Sequence, residues 1–238
     1  MEWQGEALIL AARPHGEGSA IVDVFTRAEG RHAGLIRGGF GQRLRPLLQP
    51  GNMAQIGWRA RLSEHLGTMT IEGGRAHAAE LMSDRRALAG LSSLCALLMI
   101  TPERQAYPRL YDTVQVLLQA FDDEHIWLPL LVRFELALLE ETGFGLDMSA
   151  CAATGSQDNL THISPRSGRA VSAAAATPYL DRLFALPAFL RDPQAVANNA
   201  DIAAGFELTG YFLERRVYQP VGKTLPQARQ RLLDVLHR

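Results

Sequence analysis

The spacing of apolar residues changes once along this chain, close to Ala78. Before that point the apolar residues form short runs, some of them alternating with polar residues, and turn residues such as Pro50-Gly51-Asn52 separate the runs. After it they recur three and four positions apart, which is typical of one face of an α-helix. The chain is therefore predicted to fold as a β-rich amino-terminal domain followed by a helical domain.

The amino-terminal part contains five predicted strands. They cover residues 7–11, 20–25, 32–37, 53–59 and 67–72. Five short strands in succession predict a small antiparallel barrel, and the OB-fold is the commonest barrel of that size. We expect a five-stranded OB-fold β-barrel within residues 1–80.

The remaining residues, 81–238, are predicted to form a mainly α-helical domain, which makes the fold class α+β with more than one domain. Apolar stripes indicate three helices, near residues 110–121, 128–139 and 224–237. Thr101-Pro102-Glu103 is predicted to start a helix, because proline is favoured at the first helical position. Asp201 is predicted to cap another helix.

Length and composition indicate an ordinary globular protein. A chain of 238 residues, 47% hydrophobic and 21% charged, is long enough for one large or two modest domains. The amino end lacks the basic stretch of a secretory signal, and the longest apolar run, residues 87–100, is too short to span a bilayer. Two cysteines make no disulfide framework. We therefore expect a cytoplasmic protein without a membrane partner.

Positive charge is concentrated in one stretch of the predicted barrel. Between Arg27 and Arg61 the chain places seven arginines against one acid, Glu29, although its net charge is -1. The same stretch contains a glycine cluster at residues 38–41 and two aromatic residues. This combination suits a polyanion whose flat bases can stack. The alternative is an ordinary solvated β-surface, because the chain uses arginine for every basic residue except Lys223.

Enzyme signatures are missing from the sequence. Gly222-Lys223-Thr224 lacks the upstream glycine of a phosphate-binding loop, and the glycines at residues 38–41 lack dinucleotide-loop spacing. The acid-rich Asp122-Asp123-Glu124 is the candidate for a metal-dependent nuclease, but a solvated loop between helices explains it better. We predict no catalytic residue, no cofactor and no small-molecule substrate.

Residues 147–177 are rich in Ala, Gly and Ser and are predicted to be irregular. They contain the segment Cys151-Ala152-Ala153-Thr154-Gly155, in which a second cysteine at position 154 would make a zinc knuckle. One thiolate cannot hold a structural zinc, which needs four ligands, and recruiting His162 still leaves two ligands too few. We predict that this region binds no metal.

Short motifs occur along the whole chain in a fixed order. Near the amino end they are Asp23-Val24-Phe25-Thr26, Arg37-Gly38 and Leu48-Gln49-Pro50-Gly51; further along they are Arg133-Phe134-Glu135, Gly143-Phe144-Gly145, Cys151 to Gly155 and Ser164-Pro165-Arg166. No single motif is diagnostic, but in this order and spacing they resemble the RecO family of bacterial recombination mediators.

The resemblance implies an amino-terminal OB-fold, a helical carboxy-terminal domain and a zinc-ribbon-like insertion. The insertion would lack metal, because Thr154 and residues 172–176 stand where further cysteines are expected. It also implies a non-enzymatic role in DNA repair through the RecF pathway: binding single- and double-stranded DNA, annealing complementary strands and helping RecA load on SSB-coated DNA. The implied partners are DNA, the C-terminal tail of SSB and RecR, at a cytoplasmic, nucleoid-associated location. The alternative is an OB-fold protein–protein adaptor with little direct DNA binding.

The predicted DNA-binding residues are arginines of the barrel and of the insertion, together with one aromatic ring: Arg31, Arg37, Phe40, Arg43, Arg45, Arg166 and Arg169. The arginines would neutralise phosphates, and the ring would stack on a base. The alternative role of Phe40 is that of a buried barrel plug.

The resemblance assigns a different ligand to Arg133, the acidic, phenylalanine-ended tail of SSB. Such a tail needs an apolar pocket for its last ring and a cation for its carboxylate, and arginine pairs with a carboxylate bidentately. Arg133 lies beside the apolar stripe of its predicted helix. The alternative is a salt bridge from Arg133 to an acid of the helical domain.

Overall fold

A computed structural model describes residues 1–62, 64–192 and 194–237. Its chain divides into two compact units, which we call unit 1 (Met1–Asp122 with Pro226–Arg238) and unit 2 (Asp123–Leu225). The domain boundary predicted at residue 80 stays a prediction. The strands of the barrel end before that residue, whereas the compact unit that contains them also includes the helices that follow.

Both units contain strands and helices. The strands are β1 (Glu2–His15), β2 (Ser19–Thr26), β3 (Gly30–Ile36), β4 (Met53–Arg59), β5 (Thr68–Glu72), β6 (Leu160–Ile163), β7 (Ala170–Ser172) and β8 (Phe184–Ala185). The α-helices are α1 (His77–Glu80), α2 (Arg85–Leu98), α3 (Pro108–Ala120), α4 (Glu124–Glu141), α5 (Ala173–Ala176), α6 (Asn199–Phe212) and α7 (Gln227–Leu236).

Unit 1 is built on a closed five-stranded barrel in the order β1-β2-β3-β5-β4. The first part of β1, from Glu2 to Leu8, pairs with β4, and the part from Ala7 to His15 pairs with β2. One long strand therefore closes the barrel on both sides. The predicted five-stranded OB-fold barrel is confirmed.

The barrel interior is filled by the apolar members of the alternating strands. Ile9, Val22, Val24 and Ile56 are at most 1% exposed. Because neighbouring residues of a strand point to opposite faces, the residues between these four point away from the barrel interior. Trp58, which the sequence places in the arginine-rich stretch, also lies in this core, and its indole N–H donates to the Leu66 carbonyl at 2.9 Å.

The prediction of a helix start at Pro102 is wrong. α3 begins at Pro108, which occupies the first helical turn. The segment before it pairs with the barrel instead: Glu103 forms a bridge to Arg31, and the Arg104 N–H donates to the Arg31 carbonyl at 2.7 Å. Arg104 has a φ of 62°, in the left-handed region that an α-helix does not use.

Unit 2 is mainly helical, as predicted. α4 packs on α6, and unit 2 contains fully buried aromatic side chains, namely Trp127, Phe134, Phe189, Phe206 and Phe212. Next to these helices, β6 is the central strand of a small antiparallel sheet in the order β7-β6-β8. The stretch predicted to be irregular, residues 147–177, therefore contains two strands and a short helix.

The helix predicted to be capped by Asp201 begins earlier. Asn198 is the cap of α6, and its side-chain oxygen accepts from the Asp201 N–H at 3.0 Å. The Asp201 carboxylate accepts in return from the Asn198 N–H at 3.1 Å. Asp201 is thus the second member of a capping box, a role that also stabilises a helix start. In the described part of the chain, no helix combines the length and the apolar character needed to cross a membrane.

Candidate nucleic-acid interface

The connection between β3 and β4, residues 37–52, holds the predicted arginines close to the barrel. Gly38 adopts a φ of 68°, and Gly39 lies so close to β2 that an added Cβ would be 2.6 Å from the Ala20 Cβ. Further along, Leu44 packs against the barrel core and Leu48 is buried. Because these apolar residues face inward, the arginines on either side of Leu44 face solvent.

Arg37, Arg43 and Arg45 are exposed. Within residues 1–62, 64–192 and 194–237, no carboxylate oxygen lies within 4.0 Å of their guanidinium nitrogens. Their positive charges are therefore not neutralised by a carboxylate of the described residues. Such a cluster attracts anions from solution.

An open groove of about 550 Å³ lies beside two of these arginines, where β3 and β5 run parallel and pair at Leu35 and Thr68. Its lining combines guanidinium groups with an apolar wall: Leu35, Ile36, Arg37, Arg43, Leu44, Thr68, Met69, Thr70 and Ile71. A groove of this volume is in the usual range for ligand clefts, about 300–1,000 Å³. Sequence reasoning missed the β5 contribution, because only the closure of the barrel brings β5 next to β3.

Arg31 lies at the other end of β3 in different surroundings. Its side chain is 15% exposed, and Nη1 lies 3.0 Å from Asp23 Oδ1 and 3.2 Å from Glu103 Oε1. Its Nε donates to the Thr101 carbonyl at 2.8 Å. Burial raises the pKa of Asp23, and the adjacent Arg31 opposes that rise. The Arg31 charge is therefore compensated inside unit 1.

Phe40 is half-buried and packs against the barrel core, next to the exposed arginines. Its backbone N–H donates to the Gly18 carbonyl at 3.2 Å. These contacts agree with the alternative of a partly buried plug, while the uncovered part of the ring remains open to solvent. Stacking of Phe40 on a base stays a prediction.

The two predicted arginines of the insertion lie at the turn between β6 and β7. Arg166 and Arg169 are both exposed. Arg169 Nε lies 3.2 Å from Asp147 Oδ2, and the two residues also form a backbone bridge. Arg166 has no carboxylate within 4.0 Å in the part of the chain that the structure describes. The two arginines therefore differ in available charge.

Arg133 is half-buried on α4, where its Nη2 donates to the backbone carbonyl of Phe189. The predicted alternative, a salt bridge to an acid, does not occur among the described residues within 4.0 Å. The guanidinium is thus oriented by a neutral carbonyl and not by an acid of the described residues. Phe189, whose side chain is 2% exposed, places apolar packing beside it.

The segment around Cys151 does not suit zinc. The Cys151 Sγ is buried and accepts from the Ser172 N–H at 3.3 Å, and hydrogen bonds from Ser172 and Thr154 hold the pKa of this thiol below its usual range. Hydroxyl groups replace the thiolates that a structural zinc requires. Across the described ranges of the chain, no three His, Cys, Asp or Glu side chains are grouped closely enough to hold a metal ion.

Two family models match consecutive parts of the chain. The one described as "Recombination protein O N terminal" matches residues 1–73, and "Recombination protein O C terminal" matches residues 82–225. The chain belongs to the RecO family. This membership confirms the resemblance that the short motifs indicated. It also accounts for an OB-fold barrel followed by a helical region.

Curated RecO proteins align with the chain along nearly its full length. A protein from Beijerinckia indica is 51% identical over 98% of this chain and 94% of its own length. A protein from Methylocella silvestris is 50% identical over 98% and 95%, respectively. One from Mesorhizobium japonicum is 47% identical over 100% and 94%. Each carries the name "DNA repair protein RecO", so DNA repair is the process in which this family acts.

Proposed function

We propose that this protein is a DNA-binding recombination mediator of the RecF pathway. It binds and anneals single-stranded DNA and helps RecA to load on SSB-coated DNA during repair. The observation that carries the proposal is the groove between β3 and β5, in which Arg37 and Arg43 lie beside an apolar wall and no carboxylate of the described residues lies within 4.0 Å of either guanidinium. Membership of the RecO family supports the same role.

The groove suits a single strand better than a stacked duplex. The guanidinium groups neutralise phosphates, and an unpaired base can lie against the apolar wall formed by residues such as Leu44 and Ile71. None of these contacts reads the hydrogen-bonding edge of a base, so binding is largely indifferent to sequence. Duplex DNA binds through its phosphates alone and therefore more weakly in this groove.

The predicted DNA-binding residues do not contribute equally. Arg37, Arg43 and Arg45, which face no carboxylate among the described residues, bind phosphates, and Phe40 offers the uncovered part of its ring. Arg166 does not line the groove, and we assign it a phosphate contact on unit 2 that is separate from groove binding. Arg31 and Arg169 already face carboxylates, so we assign their main effect to the fold.

We further propose that Arg133 binds the C-terminal carboxylate of the SSB tail. The Phe189 carbonyl orients the guanidinium but does not neutralise it, so the fork can still accept a carboxylate. The apolar surroundings of Arg133 suit the terminal phenylalanine ring of that tail. RecR is the second protein partner that the family resemblance implies. The same resemblance implies that this protein is not an enzyme and that it acts in the cytoplasm at the nucleoid.

Retention of single-stranded DNA over a salt series tests this function. The logarithm of the affinity should fall linearly with the logarithm of the salt concentration, with a slope of about -0.7 per phosphate contact. The same preparation should accelerate annealing of complementary oligonucleotides without nucleotide hydrolysis. Failure to retain DNA at low salt, combined with binding of the SSB tail, would favour the protein–protein adaptor instead.

A further inference from the structure

The end of α6 has an unusual backbone. After Phe212 the helix widens into a π-helical segment, Leu213–Tyr218. Single π-helical turns are uncommon and often occur at functional sites. This one places two consecutive arginines over aromatic rings of the preceding turn: the Arg215 Cζ lies 5.9 Å from the Tyr211 ring centroid, and the Arg216 Cζ lies 4.6 Å from that of Phe212.

The guanidinium of Arg216 is fixed from two sides. Below it lies the ring of Phe212, which is fully buried. Beside it lies Gly168, where an added Cβ would be 2.8 Å from Arg216 Nη1 and where φ is 74°. Glycine at position 168 thus allows the turn and leaves room for the guanidinium. A planar fork held in this way loses little entropy when it binds an anion.

The glycine also belongs to the turn that carries Arg166. In this turn the Gly168 N–H donates to the Ser164 carbonyl at 2.8 Å, and Arg166 lies exposed between them. Arg216 and the turn of Arg166 are therefore neighbours in unit 2. Over the residues that the structure describes, Arg166, Arg215 and Arg216 have no carboxylate oxygen within 4.0 Å.

We propose that Arg216, together with Arg166 and Arg215, binds the phosphate backbone of a second DNA strand. The inference rests on the proposed function, because annealing requires two strands on the protein at once and the groove of unit 1 holds one. Several uncompensated guanidinium groups in one place suit a polyanion better than a lone carboxylate, which a single arginine can pair. The rings of Tyr211 and Phe212 keep the guanidinium groups of Arg215 and Arg216 in place before DNA arrives.

A two-strand binding experiment tests the proposal. An immobilised oligonucleotide is saturated with protein, and a labelled, non-complementary oligonucleotide is then added. The wild type should hold both strands. In Arg166→Gln/Arg216→Gln the affinity for the second strand should fall by about a hundredfold, because two charged contacts are lost, and annealing should slow accordingly. First-strand affinity should stay within about twofold of wild type, a change too small to reflect a lost charged contact.

The matched control is Arg182→Gln/Lys223→Gln, which removes the same charge from exposed positions of unit 2. If the Arg216 variant does not fold, Arg166→Gln/Arg215→Gln changes exposed side chains alone and should show the same selective loss. Retention of both strands by these variants overturns the proposal, as does a wild type that holds one strand. A wild type that binds no DNA overturns the proposed function as well. Loss of SSB-tail binding with both strands retained would assign these arginines to a carboxylate.

Discussion

The two ends of β3 carry arginines in opposite circumstances. At the beginning of the strand, Arg31 is mostly covered and contacts Asp23 of β2. It also contacts Glu103, which lies 72 residues further along the chain than Arg31. Just beyond its end, Arg37 is exposed and lines a groove without a carboxylate within 4.0 Å among the described residues. Both arginines belong to the same arginine-rich stretch, residues 27–61. What separates them is the fold, which supplies acids to one end and leaves the other open.

The largest expected effect concerns the open end. In Arg37→Gln/Arg43→Gln/Arg45→Gln, affinity for single-stranded DNA at low salt should fall by about 4 kcal/mol, or about a thousandfold, since three charged contacts contribute about 1.5 kcal/mol each. Fluorescence anisotropy with a labelled oligonucleotide measures the change. The control Arg27→Gln/Arg75→Gln/Arg182→Gln removes equal charge from arginines that already face a carboxylate. Equal losses in the two variants would mean that net charge alone governs binding.

Substitution of Arg31, at the beginning of β3, should lower the stability of the protein and leave DNA binding unchanged. Arg31→Gln leaves the buried Asp23 carboxylate without its nearest cation, and breaking such a buried pair costs about 3 kcal/mol. Chemical denaturation measures the free energy of unfolding. Asp23→Asn in the same chain should restore part of the loss, because the uncompensated charge is then gone. A stability equal to wild type would show that Arg31 has no structural role.

Arg133 is intermediate between Arg31 and Arg37 in how its charge is compensated, because it contacts a neutral carbonyl. Arg133→Ala should weaken binding of a synthetic SSB-tail peptide by roughly ten- to a hundredfold, since a hydrogen-bonded charged contact contributes about 1.5–3 kcal/mol. Calorimetry measures the affinity, and binding to naked DNA should hardly change. If both folded proteins bind the peptide equally, the tail docks without this residue.

The smallest expected effect is a pH dependence of the free energy of unfolding that arises at His32, the residue after Arg31 in β3. His32 is buried between the rings of Trp3 and Trp58, with centroids at 5.3 and 4.5 Å, and burial lowers its pKa from 6.5 to about 4. Between these pH values the unfolded chain binds a proton that the folded barrel does not. This contribution to stability is therefore complete above pH 6.5 and is lost as the pH falls toward 4.

His32→Leu provides the comparison for that pH dependence. The free energy of unfolding should fall less steeply with decreasing pH in the variant than in the wild type. Denaturant midpoints at pH 7 and pH 5 suffice to measure the difference. Identical pH dependence in the two proteins would mean that His32 is protonated equally in the folded and unfolded states.

The sequence predicted the barrel because every second residue of a strand faces the barrel interior and is apolar, as Val22 and Val24 are. It misplaced the start of α3, because Pro102 has the local character of a helix start and only pairing with β3 sets Arg104 at a positive φ. Asn198 and Asp201 are both good caps, so their order was not decidable from residue type.

The sequence predicted the arginines of the candidate site but not their surroundings. Spacing and charge identified the arginines of residues 27–61 as a group. Their division into paired and free side chains depends on acids brought from β2 and from the segment before α3, and the groove depends on β5 lying beside β3. These are tertiary contacts, which local patterns do not contain.

The salt dependence of DNA binding by two single variants tests the central comparison most directly. Arg37→Gln and Arg31→Gln remove the same charge from opposite ends of one strand, and both are measured on one single-stranded oligonucleotide at a temperature where each is folded. Loss of one phosphate contact should make the slope of Arg37→Gln shallower by about 0.7, whereas Arg31→Gln should keep the wild-type slope. A shallower slope for Arg31→Gln with an unchanged slope for Arg37→Gln would contradict the assignment of the open end to DNA.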